Sequence, residues 1–468
     1  MNITQVITLV IVAWLLGFLR RYQPWKSLLI FTSMSLYYWL QPSSPIRYVD
    51  FWLPTFVVIL AWLTYAGMSS FRLATLRKNI GELGLVLLPT LAASLNRYLA
   101  ICCITPTLPP SIDRVLIFLI LAIFIITFIT RVLPQKWHFP FIILILLIIF
   151  IFLKNPYLTL QLSKSWREFN HQPIQYSLPI DIQWLGISYI ILRMAHILID
   201  VRAKRQPLPD FQTYFLYLIF FPALIAGPID LFPHFQKEVN AAPQTPPLRL
   251  EGFKRIILGA FKKFVLADSL AILALSQQNA IQITAPLYLW LALIFYSWRI
   301  YFDFSGYTDI AIGSALLIGI RLPENFSAPY FKTNLIQFWN SWHITLANWF
   351  RAYFFYPFVR KFQRNQSLPP WLLILIGQGI TMILIGLWHG ISLNYFLWGL
   401  WHGIGLFINN RWKEWAGSHA FPFLENRLTQ FASWLITFTY VSLGWVWFLI
   451  TDFGSARIVF NHLFGIGL

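Results

Sequence analysis

Six stretches of this chain, residues 1–19, 51–71, 115–130, 137–153, 211–229 and 428–451, contain no charged side chain, and residues 365–410 add an uncharged run of 46. A helix needs about 20 predominantly apolar residues to cross the hydrocarbon core of a bilayer. A chain of 468 residues with this texture folds in lipid or not at all. Composition agrees: 58% of residues are hydrophobic and 11% are charged, against about 25% charged in ordinary soluble proteins. A soluble globule, a disordered chain and a disulfide scaffold are excluded.

Residues 27–40 and 83–104 make two further spans, the second tolerating Arg97 if it snorkels or faces protein. The 46-residue run holds two helices with a break near Gly390. The expectation is an all-α, polytopic protein with about eleven helices crossing or entering the membrane, in a single domain spanning residues 1–468. The net charge of +18 would suggest nucleic acid in a soluble domain, but here the cations punctuate apolar runs, so nucleic acid is not an expected partner. Arg20, Arg21 and Lys26 follow the first run, which puts the N-terminus outside and distinguishes that run from a cleaved leader. Counting onward, loops 20–26, 72–82, 131–136 and 201–210 hold eleven Lys/Arg, against five in loops 41–50, 105–114 and 154–181. Adjacent Cys102 and Cys103 sit in an apolar stretch and read as packing residues.

Chemistry concentrates in the C-terminal half. The segment RIYFDFSGYTDIAIG (299–313) sets Asp303 and Asp309 among aromatics. A carboxylate at membrane depth must be paired or reach water. Both aspartates read as structural, pairing with an Arg, with Asp309 capping the apolar helix that follows it. Farther on, Leu335, Phe338, Trp339, Trp342, Leu346, Trp349, Phe350 and Tyr353 recur at helical spacing, predicting one amphipathic helix with Asn340 on its polar face. His343 lies on the boundary of that stripe and, taken alone, reads as a hydrogen-bonded structural histidine.

WHG occurs twice, at His389 and His402. His389 lies inside the 46-residue uncharged run, and an ionisable group there is a functional candidate. Burial keeps an imidazole neutral, the form a general base needs. The alternative is a histidine bridging two helices, and the residues alone leave both readings open. His402, one helix on, leans structural. A neutral imidazole can take the proton from a hydroxyl as it attacks a thioester. That chemistry requires no covalent enzyme intermediate, and no GxSxG nucleophile motif is present. No carboxylate or Cys lies at ligand spacing from these histidines, so no metal is expected.

Seven stretches, in order, resemble the membrane-bound O-acyltransferase family, in its bacterial branch of alginate O-acetylases and teichoic-acid D-alanylation proteins. They are LGISYIILRMAHILIDV (185–201), FFPALIAGPI (220–229), GFKRIILGAFKKFVLAD (252–268), YFDFSGYTDIAIG (301–313), PENFSAPY (323–330), FWNSWHITLANWFR (338–351) and GLWHGISLNYFLWGLWHG (386–403). The resemblance covers roughly residues 185–405. It implies helices around a funnel or tunnel, and its two signature histidines map onto His343 and His389, both catalytic candidates, with the second the usual catalytic residue of the family. Asp303, Asp309, Asn340, Trp342, Arg351 and Trp388 form the candidate substrate-contacting set. The implied reaction takes an acyl group, acetyl first and D-alanyl second, from a cytoplasmic acyl thioester (a coenzyme A ester or a loaded carrier protein). It delivers that group to an extracytoplasmic polymer or a partner acyltransferase. No bound cofactor is expected beyond that co-substrate, and the expected location is the plasma or inner membrane. Two features depart from the family pattern: Ala352 follows Arg351 where relatives carry Asp, and Arg360, Lys361 and Arg364 follow where alginate-type relatives carry Gly-Gly. That basic cluster reads as a cytoplasmic anchor before it reads as a phosphate site. The competing function is a transporter or flippase, for which Arg193, His196 and Asp200 are the candidate pathway charges.

Overall fold

The computed structural model describes residues 2–22, 24–69, 73–99, 104–241, 246–364, 369–419 and 426–466. Cys102 and Cys103 lie outside the described residues. Among the described residues the chain is helical, with one isolated extended bridge between Phe326 and Trp342. It divides into two compact units, Met1–Phe253 with Ala311–Leu322, and Lys254–Ile310 with Pro323–Leu468.

Among the described residues, five helices are long and apolar enough to span a bilayer: Val49–Met68, Ile112–Val132, Gln135–Lys154, Pro370–His389 and Arg427–Leu449. They match five of the expected runs. The count of about eleven is not reached by this criterion, and particular segments show why. Residues 211–229 were expected to span. They instead give a nine-residue helix, Phe211–Ile219, followed by a 3-10 turn at Phe221–Ala223, because Pro222 and Pro228 deny the chain further helical hydrogen bonds. Ile3–Leu19 and Trp25–Leu40 are helical but short, at 17 and 16 residues.

In the first unit, a short buried helix needs its terminal carbonyls satisfied without water. Arg193, on Ile187–Arg202, does this for Phe211–Ile219. Its guanidinium donates to the Tyr217 and Leu218 carbonyls at 3.2 Å and to Ala223 at 2.7 Å. Arg20 works the same way. It is buried, donating to the carbonyls of Ile318 (3.2 Å), Glu238 (2.6 Å) and Ala241 (3.0 Å), so it ties helix ends together as well as flanking the first apolar run. Both arginines complement the negative ends of helix dipoles. His196 is fully buried, with its Nε2 accepting from the Phe232 N–H at 3.3 Å, and Asp200 pairs with Arg205 at 3.2 Å. The three candidate pathway groups thus each have partners within the unit, Arg193 and His196 on other segments and Asp200 at the end of its own helix.

The second unit is organised by an antiparallel hairpin, Pro370–His389 and Leu393–His419, which breaks at Gly390 as expected. Each copy of GLWHG is also a GxxxG pattern, whose small residues let helix backbones approach closely. A Cβ at Gly399 would lie 2.5 Å from the Met382 carbonyl oxygen, and one at Gly403 would lie 2.9 Å from the Gly379 Cα. Glycine is therefore required at both positions for steric reasons.

Two outcomes test this packing. Gly399→Leu should destabilise the protein in detergent by about 3 kcal/mol or more, whereas Gly84→Leu, where a Cβ meets nothing within 4 Å among the described residues, should leave the melting midpoint nearly unchanged. Arg193→Met leaves three buried carbonyls without a donor and should cost about 3 kcal/mol or more, measured by denaturant-induced unfolding in micelles. Arg193→Lys should recover only part of that loss, because an ammonium cannot reproduce the guanidinium fork.

Candidate functional site

The predicted single amphipathic helix around His343 is not formed. Leu335–Trp339 ends at Asn340, His343 adopts a left-handed backbone conformation (φ 44, ψ 51), and a new helix runs from Ile344 to Phe350. The reason lies upstream, in PENFS. The Asn325 carbonyl accepts the Ile344 N–H at 3.0 Å, and Ser327 N–H donates to the Ser341 carbonyl at 3.0 Å. These bonds replace helical ones and hold the turn open. The side chain of Asn325, which is fully buried, adds to them. Its Oδ1 accepts from the Thr345 N–H (3.2 Å) and the Thr345 hydroxyl (2.9 Å), and lies 3.2 Å from His343 Nδ1. Its Nδ2 has no hydrogen-bond partner among the described residues, a cost of about 1–3 kcal/mol that the oxygen's contacts sustain. Asn325 lies in the PENFSAPY stretch, but nothing in the sequence connects it with His343, and only the folded turn brings the two together.

His343 is buried, with its ring edge-on to Phe304 at 4.8 Å and to Trp388 at 6.1 Å between centroids. Trp388 in turn meets the ring of His389 at 4.8 Å. The two candidate histidines therefore flank one indole. His389 is the last residue of its helix and is half-buried among Tyr395, Trp398 and Phe448. Trp398 carries the contact on to His402, at 5.0 Å. His402 is fully buried, and among the described residues neither of its ring nitrogens has a hydrogen-bond partner. Trp342 is buried farther along the same aromatic cluster, against Phe326, Phe338 and Trp445.

The remaining candidates divide into two groups. Asn340 and Arg351 line a cavity of about 280 Å³, together with Trp339, Gln378, Thr381, Met382 and Asn410. Arg351 also donates to the Trp339 carbonyl at 3.0 Å, closing the end of the preceding helix. Ala352 follows, exposed, in a π-helical turn over Arg351–Phe355. A larger, more open cavity of about 1000 Å³ shares Ile336 and Asn340 with the first and is lined by Gln337, Asn409, Trp412 and Tyr440. Asp303 and Asp309 belong to a separate ionic cluster. Asp303 is exposed and pairs with Lys263; Asp309 is buried between Arg255 at 2.8 Å and Lys262 at 2.7 Å. The expected pairing with an arginine is present. The expected cap is not, because Asp309 sits well inside Pro286–Ile318, a helix of 33 residues that began upstream. Among the described residues no three His, Cys, Asp or Glu side chains gather around a common point.

Comparison with known proteins places this geometry in context. The chain is 33% identical over 291 residues to a protein named probable alginate O-acetylase from Pseudomonas aeruginosa, covering 60% of this chain and 52% of that one. It is 29% identical over 293 residues to the teichoic acid D-alanyltransferase of Bacillus subtilis, covering 61% and 74%. It is 34% identical over 277 residues to the peptidoglycan O-acetyltransferase of Helicobacter pylori, covering 58% and 50%. The matched region thus spans about half the length of the alginate and peptidoglycan relatives. The family match is broader than the seven motifs. Residues 28–445 fit the model of the membrane-bound O-acyltransferase family, and the chain belongs to it.

Proposed function

We propose that this protein is a membrane O-acyltransferase that takes an acyl group from a thioester donor on the cytoplasmic side and delivers it to a hydroxyl of an extracytoplasmic polymer, directly or through a partner acyltransferase. The observation that carries this reading is the pairing of His343 and His389 across the Trp388 indole in an aromatic enclosure. Neighbouring relatives named for O-acetyl and D-alanyl transfer support it. Acetyl is the first expected group and D-alanyl the second.

In this mechanism the neutral imidazole of His389 accepts the proton of the acceptor hydroxyl as its oxygen bonds to the thioester carbonyl carbon. The carbon–sulfur bond then breaks, and the imidazolium returns its proton to the leaving thiolate. The cavity beside Trp339 and Arg351 is assigned to the donor. One of its helices, Pro370–His389, begins a few residues after the exposed cations Arg360, Lys361 and Arg364, and these support assigning that end to the cytoplasm. The N-terminus is assigned to the outside of the plasma or inner membrane.

The test is the ester-linked acyl content of envelope polymers, measured by mass spectrometry after mild base release. Cells with the intact protein, without it, and with His389→Ala at matched membrane abundance are compared. Ester content should fall to the level of the deletion in the variant, a loss of about 10²-fold or more in transfer rate. The released mass distinguishes acetyl from D-alanyl. Equal ester content in all three would remove His389 from the chemistry.

A further inference from the structure

The oxygen of Asn325 faces the Thr345 backbone N–H, which can only donate, so the atom there is the amide oxygen and not the amide nitrogen. That same oxygen lies 3.2 Å from His343 Nδ1. An amide oxygen has no proton to give, so Nδ1 must carry the hydrogen of this contact. A neutral imidazole carries only one ring N–H, and its other nitrogen, Nε2, then holds the lone pair.

We propose that Asn325 is a positioning residue that fixes His343 as its Nδ1–H tautomer, so that the site holds a second proton-accepting imidazole nitrogen in addition to His389. The amide is well placed for this because its own segment is immobilised on both sides. Its backbone carbonyl holds Ile344, and Phe326 bridges to Trp342. Glu324, immediately before it, is paired with Arg255, whose guanidinium also grips buried Asp309. The ionic cluster that contains Asp309 therefore anchors the segment that orients His343, which gives this aspartate an indirect part in the site.

The consequence for turnover rests on the acyl-transfer reading, whereas the tautomer does not. Protein labelled with ¹⁵N-histidine in lipid bilayers, observed by solid-state NMR, distinguishes protonated from unprotonated ring nitrogens. His343 is assigned by its disappearance in His343→Gln. The intact protein should show His343 as Nδ1–H. Asn325→Leu, similar in shape but with no acceptor, should release the ring to the Nε2–H form and lower the transfer rate about 10- to 100-fold. The donor KM should stay within about threefold, because the amide acts on the proton and not on donor binding. Asn325→Asp, which keeps an acceptor for both N–H groups, should retain Nδ1–H and recover at least a tenth of the rate. An Nε2–H His343 in the intact protein overturns the proposal, as does an Asn325→Leu variant with unchanged tautomer and turnover. If Asn325→Leu does not accumulate, the spectrum of the intact protein decides the tautomer. An Nδ1–H His343 in a protein that forms no ester supports the positioning and overturns the acyl-transfer reading, so the two fail separately.

Discussion

Close approach of two helices at their glycines is the constraint on which the rest of the second unit depends. Pro370–His389 and Leu393–His419 pack with backbone against backbone at Met382–Gly399 and Gly379–Gly403. In lipid there is little hydrophobic gain in bringing helices together, so packing and small residues must provide the association. The repeated GLWHG places a tryptophan and a histidine between the glycines of each helix. Close contact of the helices then draws Trp388 and His389 of the first copy, His402 of the second and Trp398, the residue before Gly399, into one aromatic array. Scaffold glycines and candidate histidines thus share one short repeated stretch, with Trp398 directly before its second copy.

Much of this was legible before any coordinates. The absence of charge marks most of the long helices, since each charged side chain at membrane depth is costly, and among the described residues five runs fold as long apolar helices. The length of the uncharged run calls for two helices, and Gly390 offers the place for the break between them. What misled was local pattern without tertiary context. Residues 211–229 are as uncharged as any span, yet prolines and the Arg193 clamp make a short helix stable there. The stripe through 335–353 has a good helical period, but bonds from Asn325 cost the helix its continuity at His343. The apolar run after Asp309 reads as a helix start because Arg299, Asp303 and Asp309 interrupt the apolar stretch from Pro286, although one helix runs through all three.

Cations illustrate the same limit. Arginines near apolar runs are read as markers of sidedness, and Arg20 was counted that way. Its burial against three backbone carbonyls gives it a structural task as well. Arg193 and Arg351 likewise donate to helix-end carbonyls. A membrane interior offers no water to such carbonyls, so part of the positive charge in this chain is spent on closing helices and carries less topological information than a simple count assigns to it.

The left-handed backbone at His343 acts as a filter on what this position can become. With φ at 44, β-branched and bulky residues are disfavoured there, while Asn, Asp, His and Gly are accommodated. The backbone therefore admits a short menu that happens to include imidazole, and within that menu only histidine can exchange a proton near neutral pH without carrying a fixed charge. Drift at this site runs along a narrow corridor: the substitutions the fold accepts most readily preserve the turn while discarding its proton chemistry. Shape and reactivity at residue 343 can thus be lost independently.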